Sequence, residues 1–101
     1  MSAKVLIHAR HTAKEVCDAT SRAWPDLQFM LYRDQRGGID EALLAPTERL
    51  RQPSATAVAL EGTMTGREVS SAFQRAFGVL VEVIHAASGR SCMNVPLDRA
   101  R

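Results

Sequence analysis

Apolar residues along this chain recur with two different periods, and the two periods follow each other in the same order twice. Two short apolar runs, residues 4–9 and 57–61, read as strands, the first holding adjacent Val5, Leu6 and Ile7. Each is followed by a stretch with helical spacing. In the second stretch Val69, Ala72, Phe73, Ala76 and Phe77 fall at i, i+3, i+4, i+7 and i+8, a continuous stripe. In the first, Val16, Ala19, Ala23 and Trp24 keep that spacing, with Thr20 where Phe73 stands. Pro25 cannot continue the first helix, and Gly78 is a natural left-handed stop for the second. Period-two runs then follow at 27–32 and 79–84, predicting a strand after each helix.

The two halves also match residue by residue. Residues 12–23 and 65–76 align at a constant offset of 53 (65 minus 12), with Thr12/Thr65, Glu15/Glu68, Val16/Val69, Ala19/Ala72, Arg22/Arg75 and Ala23/Ala76 identical. In both, Thr is followed three residues later by Glu. That spacing predicts a capping box, the hydroxyl accepting an amide hydrogen from the first turn and the carboxylate accepting the cap's own. A one-residue gap at Asp26 brings the following strands into phase. Leu27, Phe29 and Leu31 then match Val79, Val81 and Val83 on one face, and Gln28, Met30 and Tyr32 match Leu80, Glu82 and Ile84 on the other. Further on, residues 46–51 and 96–101 share P-x-acid-R-x-R at an offset of 50 (96 minus 46). Self-similarity at a nearly fixed period is the signature of a repeated structural unit. The expectation is a single domain, 1–101, with pseudo-repeats 4–51 and 57–101.

Two βαβ units in one small domain predict an α+β fold. Its simplest compact form is a four-stranded antiparallel sheet with both helices on one face, the ferredoxin-like split βαβ arrangement. A β-grasp variant is the alternative if the joint between the halves, residues 33–54, adds strands of its own. Leu43, Leu44 and Leu50 in that joint are placed to pin it to the core.

The second half resembles a family of small, functionally uncharacterised bacterial proteins built as a strand, a capped helix ending F-x-x-x-F-G, and a Val-rich strand. The residues that carry the resemblance are Met64, Thr65, Phe73, Phe77, Gly78 and the run 79–83. The first half departs from it at Thr20, Trp24 and Pro25. The resemblance implies a bacterial source, assigns no activity and transfers no functional residue.

Composition narrows the function classes. Hydrophobic residues make up 46% and charged residues 24% of 101 residues, the ordinary globular range, while aromatics at 5% leave the core to aliphatic side chains. A net charge of +2 is too small to call for a polyanionic partner. An RNA-binding split βαβ domain stacks bases on aromatics of its central strands. Here the corresponding positions hold Leu6, His8, Ala57 and Ala59. Nucleic acid binding would have to run through Arg10, Arg33, Arg36, Arg49 and Arg51. No stretch has the length and apolarity of a signal or membrane span, so no membrane partner and a cytoplasmic location are expected. Cys17 and Cys92 give neither a disulfide framework nor metal spacing. Cys17, one position from the core stripe, reads as a small buried hydrophobe rather than a nucleophile.

No cofactor, metal or catalytic residue is expected from these patterns. The feature that calls for a function is the strand face turned away from the helices. Leu6, Met30, Tyr32, Leu80 and Ile84 are expected on it, an apolar surface that costs free energy if left wet. The economical cover is a second copy, predicting a homodimer; the alternative cover is the joint, residues 33–54, folded back over the face. His8, Glu82 and His85 are the candidate ligand contacts beside it. Two readings compete with assembly: a small enzyme using His8, Glu82 or His85 as acid and base in a pocket between sheet and helices, and a salt-dependent nucleic-acid binder.

Overall fold

A computed structural model describes residues 4–33, 43–50 and 57–100. The elements run β1 (Lys4–His8), α1 (Ala13–Ala23), β2 (Leu27–Arg33), β3 (Ala57–Glu61), α2 (Gly66–Phe77) and β4 (Val79–His85), with a 3-10 turn at Leu97–Arg99. The expected order of two βαβ units is present.

Both helices begin as the Thr-x-x-Glu spacing requires. Thr12 and Thr65 sit in extended backbone, and each hydroxyl accepts the amide hydrogen of the Glu three residues on, at 3.2 Å in both halves. The carboxylates of Glu15 and Glu68 accept the cap amides in return, at 3.0 and 3.2 Å. Such caps contribute about 0.5–2 kcal/mol each. The stops differ in chemistry as anticipated. Trp24 leaves helical geometry ahead of Pro25, whereas Gly78 takes φ 66°, a left-handed conformation that a Cβ disfavours.

The strands form two separate antiparallel ladders, β1 with β3 and β2 with β4. In the first, Leu6 lies opposite Ala59; in the second, Met30 lies opposite Glu82. Ile7, Val58 and Leu60 face inward from the first ladder, and Leu27, Phe29, Leu31, Val79, Val81 and Val83 from the second. Helix α1 packs on β2 and β1, and α2 on β4 and β3, so each helix joins one strand of each ladder. Phe73, Phe77, Val16 and Val69 bring the two helical stripes into the shared core.

One continuous four-stranded sheet was expected, and the pairing differs from it. A ferredoxin-like order runs β4-β1-β3-β2; its β1–β3 pair is present, while β4 beside β1 and β2 beside β3 do not occur among the described ladders. Instead β2 and β4 pair with each other, and the chain that follows each meets its other edge. After β2 the chain returns along it, Tyr32 bridging to Leu43 and the Leu44 N–H donating to the Leu31 carbonyl at 2.9 Å. After β4 it does likewise, Ile84 bridging to Ser91 and the Cys92 N–H donating to the Val83 carbonyl at 2.8 Å.

These returns also correct the alignment of the two tails. Leu50 N–H donates to His11 O and Leu97 N–H to Met64 O. Leu50 therefore corresponds to Leu97, an offset of 47 (97 minus 50), and Leu44 to Cys92, an offset of 48 (92 minus 44). The shared P-x-acid-R-x-R string at offset 50 does not mark equivalent positions: Pro96, which bridges to Thr65, corresponds to Arg49, which bridges to Thr12. Leu50 and Leu97 are both fully buried, each adding about 1.5–3 kcal/mol of hydrophobic stabilisation. Of the joint, the alternative cover for the strand face, residues 34–42 and 51–54 lie outside the described residues; its remainder runs along β2 and up to the start of α1.

Candidate functional site

Alternation along β2 and β4 turns Gln28, Met30 and Tyr32, and Leu80, Glu82 and Ile84, away from the core. Tyr32 stands directly opposite Leu80, Met30 opposite Glu82, and Gln28 opposite Ile84. Met30, Tyr32, Leu80 and Ile84 are each partly exposed, and the Tyr32 hydroxyl donates to the Met30 sulfur at 3.8 Å. Leu43, bridged to Tyr32 and 56% exposed, extends the same row beyond the edge of β2. Sequence reasoning missed Leu43 as a surface residue. Its pairing with buried Leu44 in one extended step was the available signal, since neighbours in such a step point to opposite sides.

Leu6 does not join this patch. It sits on the outer face of β1, 53% exposed, and no ladder connects β1 to β2 or β4. The expected five-residue face is thus four residues on one ladder and one on the other.

The candidate ligand contacts are also spread out. His8 is exposed at the end of β1, where its backbone N–H donates to His11 Nδ1 at 2.9 Å and the two rings lie 5.3 Å apart. Glu82 is on the outer face of β4. His85, three residues later, has the opposite parity, and its Nδ1 accepts the Ser88 N–H at 3.3 Å. No described pocket is lined by two of the three. Among the described residues no three His, Cys, Asp or Glu side chains gather as a metal site.

Cys17 has a structural task. Its thiol donates to Phe29 O at 3.5 Å, and burial, reinforced by nearby Asp18, pushes its pKa up, disfavouring the thiolate a nucleophile needs. Ser70, its counterpart on α2, accepts the Val81 N–H at 3.2 Å, so the two positions tie helix to strand in both halves. Cys92 is buried and donates to Arg90 O at 3.5 Å.

The basic residues are partly spoken for. Arg33 donates to Glu48 at 2.6 Å, to Leu50 O at 2.8 Å and to Arg49 O at 3.2 Å, fastening the return segment to β2. This hydrogen bond and charge hold the Glu48 carboxyl below its ordinary pKa. Arg49 donates to Arg10 O at 3.1 Å. Arg36 and Arg51 lie outside the described residues. No helix among the described residues is long and apolar enough to cross a membrane.

Searches against protein-family models, curated proteins and solved structures find no match to this chain.

Proposed function

We propose that this protein is a non-enzymatic binding and assembly module that forms a homodimer through the outer face of the β2–β4 ladder. The observation that carries the reading is the row Leu43–Tyr32–Leu80 together with Met30 and Ile84. These side chains are exposed or only partly buried, on a ladder whose other face supplies Leu27, Phe29, Leu31, Val79, Val81 and Val83 to the core. An antiparallel ladder normally leaves a polar face to water; a second face this apolar calls for a cover. Glu82, in the middle of the patch, fixes the orientation of the partner. Leu6 is a separate contact on the other ladder and His8 lies beside it.

The same reading takes the chain as a duplicated unit of strand, helix, strand and return. At offset 53, Leu6 is the counterpart of Ala59; at 52, Met30 is the counterpart of Glu82. Both ladders are centred on such pairs. Each half thus meets the other as protomers meet across a twofold axis. This pairing favours a unit closed on its own twofold over the ferredoxin-like order. Two unpaired cysteines suit a reducing compartment, the cytoplasm, and a bacterial source follows only from the resemblance in the second half.

Light scattering across a hundredfold range of concentration tests the assembly. The expected result is a dimer for the native chain and a monomer with an unchanged circular dichroism spectrum for Leu80→Asp and Ile84→Asp. A native chain that is monomeric throughout, or variants that stay dimeric, would overturn the proposal.

A further inference from the structure

The turn after β4 and the C-terminal 3-10 turn enclose a cleft of about 370 Å³, with His85, Ser88, Arg90, Ser91 and Arg99 among its lining residues and Val95 and Ala100 as an apolar wall. We infer that this cleft binds a small organic phosphate, its phosphoryl group held by the two arginines and its carbon portion against Val95. The inference is independent of self-association, because His85 leaves β4 on the side opposite to Ile84 and Glu82.

Charge is the first argument. Among the described residues no carboxylate lines the cleft, and neither Arg90 nor Arg99 makes an ion pair. The nearest acid in sequence, Asp98, is engaged elsewhere, accepting the Trp24 indole N–H at 2.8 Å and lining a neighbouring cleft with it. Two guanidiniums without carboxylate partners among the described residues match the dianion of a phosphomonoester, and their planar donor forks suit its oxygens.

Donor polarity is the second. The His85 Nδ1 accepts the Ser88 N–H, which leaves the ring proton of the neutral imidazole on Nε2 as a donor. The Ser88 hydroxyl oxygen accepts the Arg90 N–H at 3.3 Å, so its own hydrogen remains to donate. The backbone fixes these groups: His85 N–H donates to Arg90 O and Gly89 N–H to His85 O, both at 2.8 Å. Arginine, imidazole and hydroxyl donors therefore stand on a pinned turn.

Shape is the third. The volume is near the lower end of the range for small-molecule sites, about 300–1,000 Å³, which fits one ring or a short chain rather than a dinucleotide. Val95, 39% exposed, is one of the few large apolar side chains left open among the described residues, and it borders the cationic group.

Calorimetric titration of the intact protein with phenyl phosphate and with inorganic phosphate tests the inference, with amide chemical shifts locating the site. Phenyl phosphate is expected to saturate, to bind about tenfold more tightly than inorganic phosphate, and to move the amides of residues 88–92 and 97–100. Arg90→Gln and Arg99→Gln, both at exposed positions, are each expected to weaken it about tenfold or more, the scale of a hydrogen bond to a charged group. Val95→Ser is expected to abolish the preference for the phenyl ester, and Ser91→Asp to block binding with both arginines intact. Absence of saturable binding, indifference to the two arginine substitutions, or shifts scattered over arginines elsewhere would each overturn it.

Discussion

Asp98→Ala isolates a contact that joins the C-terminal turn to the end of α1, 74 residues away in the chain. The Trp24 indole is 5% exposed and stacks on Phe29, the rings 6.3 Å apart at 17°. Its one polar atom donates to Asp98 Oδ1 at 2.8 Å. A hydrogen bond to a charged group contributes about 1.5–3 kcal/mol, and leaving the buried partner unmatched forfeits it. The cleft beside Trp24 and Asp98 admits water, which recovers part of the loss. The expected cost is therefore about 2 kcal/mol, which in a domain of this size lowers Tm by about 8–16 °C. A double-mutant cycle with Trp24→Phe separates the bond from packing, because Phe keeps a ring over Phe29 and removes only the donor and the second ring. Urea unfolding followed by far-ultraviolet circular dichroism measures all four proteins by one signal. A coupling of about 1–2 kcal/mol is expected; additivity within about 0.5 kcal/mol, as for independent sites, would refute the reasoning.

Gly66→Ala tests the close approach of the second return segment. A Cβ at this position would meet Cys92 O at 2.8 Å and Met93 Cα at 3.0 Å, both backbone atoms, beside the 2.8 Å bond from Arg67 N–H to Met93 O. Strain of about 1–3 kcal/mol outweighs the roughly 0.5–1 kcal/mol that Ala gains over Gly in a helix, so net destabilisation is expected by urea unfolding. At the corresponding Ala13 the reverse change, Ala13→Gly, should cost about 1 kcal/mol or less; a neutral or stabilising Gly66→Ala would falsify the packing argument. For pH, Glu48 has its folded pKa lowered by Arg33 from an ordinary value of 4.5, so its stabilisation is complete above that value and is lost as pH falls through the lowered one. The stability gap between native chain and Glu48→Gln should be open at pH 7 and close in acid; a gap that stays constant with pH would show that the Arg33 contact contributes nothing.

Much of this architecture is legible in the residues because it depends on local chemistry. Thr12–Glu15 and Thr65–Glu68 are three residues apart, so the same side chains that encode each cap also form it. Pro25 and Gly78 end helices through their own backbone preferences, and the alternation in β2 and β4 assigns each side chain to a face before any partner is known. The anion-binding cleft was not legible, because Arg90 and Arg99 are brought to one cleft by a turn and a short 3-10 segment that carry no periodic pattern. Asp98 was equally silent: nothing near it in sequence announces an indole 74 residues away, although a buried indole N–H calls for some acceptor.

Sequence by itself determined two βαβ units, their caps and stops, and which face of each strand meets the core. These follow from interactions within a few residues and from a period that any buried element must keep. Tertiary structure alone decided which strands pair. Alternation specifies a face but not a neighbour, and every strand here has two edges open to any chain of complementary register. Here β2 and β4 took each other along one edge and a return segment along the other, leaving β3 and β1 to pair only with one another. Leu6 was thereby parted from Met30, Tyr32, Leu80 and Ile84, while Leu43 was set beside them.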